Sequence, residues 1–207
     1  LSVTPQALAA TVSAVADSGA APAADIAAVV IAGGAGTHVT AAMVGAIASP
    51  ISRVPLVVAA DAVLPEWVNS NVLVLALDTA TADALNETPA GGRAHIISLG
   101  SPQAVPRASS VLESAAALAV MSQTGVIESV AAQLTEAVEV LSSRVAELTA
   151  EKSPSARLAR RLGRTMPLVY GAGAVGAAAA LAWKAAVNRN AKAPSFANSV
   201  PGVDFDE

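Results

Sequence analysis

The chain is expected to adopt an α/β three-layer αβα fold with a parallel sheet. Two observations carry this expectation. Residues 26–32, 56–60, 72–77 and 93–99 form short runs that are mostly aliphatic. They do not alternate with polar residues, as strands buried on both faces do not. Helical stretches lie between or after some of these runs, and strands separated by helices assemble into a parallel sheet.

Each element follows from local chemistry. Thr4-Pro5 offers a cap and a proline at the first helical position, so a short helix is expected over residues 4–17. An Ala/Pro linker follows over 19–25. The first strand ends at Gly33-Gly34, and a helix over 37–49 is stopped by Pro50. The fourth strand closes at Gly100-Ser101-Pro102. After Pro106 the spacing is helical over 108–121. Over 126–151, Val130, Leu134, Val138, Leu141, Val145 and Leu148 recur every three or four residues and form one stripe. That helix is expected to pack on its own domain or on a second subunit. Ser153-Pro154 opens a new unit with a basic helix over 155–162, a strand over 166–170 and a helix over 174–187. An irregular polar tail is expected from Asn188 onward. One strand is no sheet, so it is expected either to add to the first sheet or to belong to a second, incomplete subdomain over residues 153–207, behind a first domain of residues 1–152.

Composition narrows the function. The 207 residues are 54% hydrophobic, 14% charged and 2% aromatic, with net charge -4. About a quarter are Ala, well above ordinary usage. No basic stretch is interleaved with aromatics, so no nucleic-acid partner is expected. The lack of Cys excludes a disulfide scaffold, a zinc ribbon and a thiol nucleophile, and His38 and His95 are too few for a His-rich metal centre. Residues 166–183 carry no charge and reach the lower limit for a membrane span, but Ala and Gly dominate them and gain little from hydrocarbon. A strand, a glycine turn and a helix are expected there, with no membrane partner. Without a recognisable leader the expected location is cytoplasmic.

Two glycine loops stand between strand and helix. Gly33-Gly34-Ala35-Gly36-Thr37-His38 offers backbone N–H groups and a hydroxyl to an anion or a sugar. Gly171-Ala172-Gly173-Ala174-Val175-Gly176 matches the dinucleotide fingerprint, but no Asp or Glu lies between Glu151 and Asp204 to hold a ribose. A close strand-to-helix turn explains that spacing equally. Asp78-Thr79-Ala80-Thr81 follows the third strand, where ligands bind in open parallel sheets. Its threonines suit a phosphate and Asp78 opposes one, while a plain helix cap accounts for the same residues. Arg157, Arg160, Arg161 and Arg164 read as a solvated helix face.

Taken in order, these segments resemble the bifunctional phosphoglucose/phosphomannose isomerase family, which is built from sugar isomerase (SIS) domains. Residues 153–164, Leu168-Val169-Tyr170-Gly171-Ala172-Gly173, Trp183-Lys184 and the stretch Asn188-Arg189-Asn190-Ala191-Lys192 to Pro201 carry the likeness. Gly33 to Gly36, Thr79 with Thr81, and Pro106-Arg107-Ala108 extend it upstream. The resemblance implies a homodimer with a cleft for a phosphorylated hexose and no cofactor. It also implies an aldose–ketose isomerisation in which a glutamate moves the proton and a histidine assists ring opening. The implied contacts are Gly33, Gly34, Gly36, Thr37, Thr79, Thr81, Arg107 and Lys192. The glutamate position is occupied by Arg189 and the histidine position by Phe205. An arginine is permanently charged and is no base, and phenylalanine transfers no proton. Glu207, Asp204 and His38 are the residues that could stand in. Three readings stay open: an isomerase with relocated groups, a non-catalytic sugar-phosphate binder or regulator, and a dinucleotide-binding domain.

Overall fold

A computed structural model describes residues 10, 26–34, 37–59, 63–99, 109–163 and 165–202. Strands β1 (Ala28–Ala32), β2 (Leu56–Ala59), β3 (Val72–Ala76) and β4 (His95–Ser98) form one parallel sheet in the order β2-β1-β3-β4. Helices α1 (His38–Ala48), α2 (Thr79–Asn86) and α3 (Ser109–Gln123) connect or follow them. The pleat sends alternate residues to opposite faces. Val29, Ile31, Leu73, Leu75 and Leu77 meet Val44, Ala117, Val120 and Met121 of α1 and α3. Val30, Ala32, Val72, Val74 and Ala76 meet Ala82 and Leu85 of α2 on the other face. Both faces of the central strands are thereby dry, which is why β1 and β3 read as unbroken aliphatic runs.

One polar pair crosses the first of these layers. Thr40 is fully buried on α1, and its hydroxyl donates to the Glu113 carboxylate of α3 at 2.8 Å. It ties the two helices at the end that faces the loops after the strands.

The long helix α4 (Ala131–Thr149) starts five residues later than the stripe suggests. Val126 and Ile127 are buried in the core instead, Ile127 bridges to Ser52, and Arg53 N–H donates to the Val126 carbonyl at 2.9 Å. Those two apolar residues were in helical phase with the stripe but serve the first sheet layer. Leu134, Val138 and Leu141 pack on Leu112 and Ala115 of α3, whereas Val140 and Leu148 are exposed.

The second unit departs from the expected tail. After α5 (Pro154–Leu162), strand β5 (Leu168–Ala172) leads through Gly173 into α6 (Gly173–Ala186), a π turn (Val187–Ala191) and strand β6 (Phe196–Val200). Strands β5 and β6 pair in parallel from Leu168 opposite Phe196 to Ala172 opposite Val200, so β5 has a sheet of its own. The segment 196–200, Phe-Ala-Asn-Ser-Val, hid its strand because its three central residues are small or polar. Residues 166–183 fold as a strand, glycine turn and helix, and among the described residues no helix is long and apolar enough to cross a membrane. The basic helix α5 is solvated as expected; Ser153 caps it and Arg160 and Arg161 lie in its last turn, where cations suit the helix dipole.

Helix α6 packs on both of its own strands and on α1 of the first unit. The facing surfaces are Ala41, Ala42, Gly45 and Ala46 on α1, with Ala174, Ala177, Ala178 and Leu181 on α6, around an apolar cavity of about 420 Å³. Small residues let the two helices approach, one physical use of the high alanine content. The helix expected over 4–17, apart from Ala10, and the linker at 19–25 lie outside the described residues.

Candidate functional site

The crossover after β1 runs to β2 on one side of the sheet, and the crossover after its neighbour β3 runs to β4 on the other. Such a reversal opens a crevice at the carboxyl ends of the two central strands, where open parallel sheets bind ligands. Leu77 N–H donates to the Ala32 carbonyl at 2.9 Å, so Gly33-Gly34 and Asp78-Thr79 leave the sheet side by side. Two loops far apart in sequence thus share one edge. Leu99 N–H donates to the Ala76 carbonyl at 2.8 Å, which places the end of β4 beside them.

Each loop is held by a threonine. The Thr37 hydroxyl donates to the Gly34 carbonyl at 2.6 Å and the Thr37 N–H to the same oxygen at 3.0 Å. A side chain at Gly33 would overlap Thr37 Oγ1 and stand 2.7 Å from its Cβ, so only glycine leaves room for this clasp. At the second loop, Asp78 accepts from Thr81 N–H at 2.7 Å and from Thr81 Oγ1 at 2.8 Å. Thr81 is only 5% exposed. Its hydroxyl belongs to the helix cap rather than to the crevice, whereas Thr79 is exposed at the edge.

Asp78 is therefore both the cap of α2 and a negative charge beside the crevice. Asp78→Ala is expected to lower stability by about 0.5–2 kcal/mol, the usual loss for a cap. Asp78→Ser keeps a cap oxygen while removing the charge. It is expected to lose less stability and to bind hexose phosphates several-fold more tightly, read by urea denaturation and calorimetry.

The remaining candidates are dispersed. Gly36, Arg107 and Phe205, with the possible stand-ins Asp204 and Glu207, lie outside the described residues. Lys192 is exposed at the end of the π turn, in a left-handed conformation at φ 55°, and lines neither cavity described here. Arg189 is different. With His38, Leu181, Lys184, Ala185 and Asn188 it lines a cavity of about 300 Å³ between the start of α1 and the end of α6. Leu181, Lys184, Ala185, Asn188 and Arg189 repeat at three- and four-residue spacing. That periodicity carries one helical face past Val187, and it was the available signal for Lys184 as a lining residue.

Residues 151–207 match the bacterial phospho-glucose isomerase C-terminal SIS domain. A bifunctional phosphoglucose/phosphomannose isomerase of Caldicellulosiruptor bescii is 27% identical over 211 residues, covering 88% of this chain. The chain has the SIS fold and is similar to this relative along most of its length. It spans 62% of the length of that curated relative. The SIS fold is also seen in the solved C-terminal domain of glucosamine-fructose-6-phosphate aminotransferase from Francisella tularensis. That structure matches with a TM-score of 0.64 at 12% identity, covering 97% of this chain and 68% of its own. A candidate phosphosugar isomerase from Silicibacter pomeroyi matches at 0.61 and 15% identity, covering 94% of this chain and 69% of its own. Within this SIS protein, the position that the resemblance gives to a catalytic glutamate is the Arg189 of the 300 Å³ cavity.

Proposed function

We propose that this SIS protein binds a phosphorylated hexose at the carboxyl edge of its first sheet and does not isomerise it by the family's proton-transfer route. The observation that carries the reading is the shared edge itself, where Gly33-Gly34, Thr37 and Thr79 meet at the β1/β3 reversal. Backbone N–H groups at such an edge and the exposed Thr79 hydroxyl suit phosphate oxygens, whereas the Thr37 hydroxyl and N–H are held by the Gly34 carbonyl and shape the loop. The similarity to phosphosugar proteins supports the ligand class. Moving a proton between C1 and C2 needs a base within hydrogen-bond reach of the carbon acid. The described residues lining the neighbouring cavity include no carboxylate, the resemblance puts Arg189 where the glutamate would stand, and His38 is the lining residue that could accept a proton in its place.

The reading includes the division at residue 153 and a homodimer, the latter measured by light scattering of the intact chain. The clasp at Gly33 offers a sharp variant. Gly33→Ala forces Thr37 away from the Gly34 carbonyl, and hexose phosphate affinity is expected to fall about tenfold or more, near 1.4 kcal/mol.

Calorimetric titration with glucose 6-phosphate, mannose 6-phosphate and fructose 6-phosphate, followed by NMR of each mixture, tests the proposal. Saturable binding without interconversion is expected. Interconversion would overturn the non-catalytic part and point to a substitute base; no binding by any of the three would overturn the whole reading.

A further inference from the structure

We infer that the cavity between the start of α1 and the end of α6 holds an anionic group, so that the ligand of this cleft is a phosphosugar carrying a second acidic group. The first group rests on the reading above; the second rests on the cavity alone. Its polar lining is an imidazole (His38), an ammonium (Lys184), a carboxamide (Asn188) and a guanidinium (Arg189), with no carboxylate among the described lining residues. Two permanent cations and an amide converge on one volume of about 300 Å³, enough for a phosphate or carboxylate and a few sugar carbons. Charge-assisted contacts to an anion are the strong ones, and a guanidinium offers a planar fork that matches either acid.

Backbone geometry supports the assignment independently. The α6 helix widens into a π turn over Val187–Ala191, an uncommon element that is frequent at functional sites. Asn188 and Arg189, which line the cavity, lie inside this turn. His38 enters from the other unit, one residue beyond the Thr37 clasp. The cavity thus shares the start of α1 with the Thr37 clasp, so the proposal places both groups on one ligand.

The test uses the intact chain and inorganic phosphate, followed by backbone amide NMR. Saturable shifts are expected at His38, Lys184, Asn188 and Arg189. Affinity is expected to fall at least about tenfold in Lys184→Gln/Arg189→Gln, as for lost charge-assisted contacts, and to recover largely in Arg189→Lys. In a calorimetric arm, a hexose bisphosphate is expected to bind at least about tenfold more tightly than a hexose 6-phosphate, with the advantage lost in the double variant. Phosphate shifts confined to Gly34, Thr37 and Thr79 and unchanged in the double variant would overturn this inference and leave the phosphosugar reading standing. Equal affinity for the two sugars would overturn it too. Shifts nowhere would overturn both.

Discussion

Alanine at Gly171 is expected to destabilise the protein by about 1–3 kcal/mol or more, the range for forcing atoms into a filled space. A methyl group there would overlap the Gly176 carbonyl and stand 2.6 Å from the Ala177 nitrogen, all backbone of the first turns of α6. No rotamer change relieves such a clash; β5 or α6 must move. Because α6 also packs on α1, the displacement would reach the cleft between the units. Gly45→Ala is the matched control. Its methyl meets nothing within 4 Å and enters the apolar α1–α6 cavity, in a helix interior where alanine is favoured by about 0.5–1 kcal/mol. Urea denaturation of the two variants should therefore move in opposite directions. The Gly171–Gly176 approach, with Gly173 at φ 66°, accounts for the fingerprint spacing without a pyrophosphate.

The second large effect is on turnover. General acid–base catalysis contributes roughly 10²–10⁴-fold to reactions of this kind. If Arg189 stands where the resemblance puts the base, hexose 6-phosphate interconversion is expected to stay at the uncatalysed rate in a coupled assay. Introducing Arg189→Glu alone is expected to restore little, because the resemblance gives the histidine position to Phe205, which offers no proton. Ready interconversion by the unmodified chain would show that another carboxylate or His38 has taken over.

Much of the fold was legible because its physics is local and strong. Unbroken aliphatic runs marked β1, β2 and β3, and the glycine and proline stops set their limits within a residue or two. The start of α4 was not legible, since Val126 and Ile127 keep helical phase yet are drawn into the first core by contacts distant in sequence. β6 was missed because three of its five residues, Ala197, Asn198 and Ser199, are small or polar. For the site, the two loops could be picked out separately, but their adjacency follows only from strand order. The meeting of His38 with Lys184 and Arg189 depends on α1 packing against α6, which no local pattern encodes.

The most direct measurement is a crystal structure of the chain grown with fructose 6-phosphate. The account predicts the phosphate at the carboxyl edge of the first sheet, against the Gly33-Gly34 loop, Thr37 and Thr79, with the sugar directed toward His38. A phosphate seated instead at the Gly173–Gly176 start of α6, with the first edge empty, would contradict it.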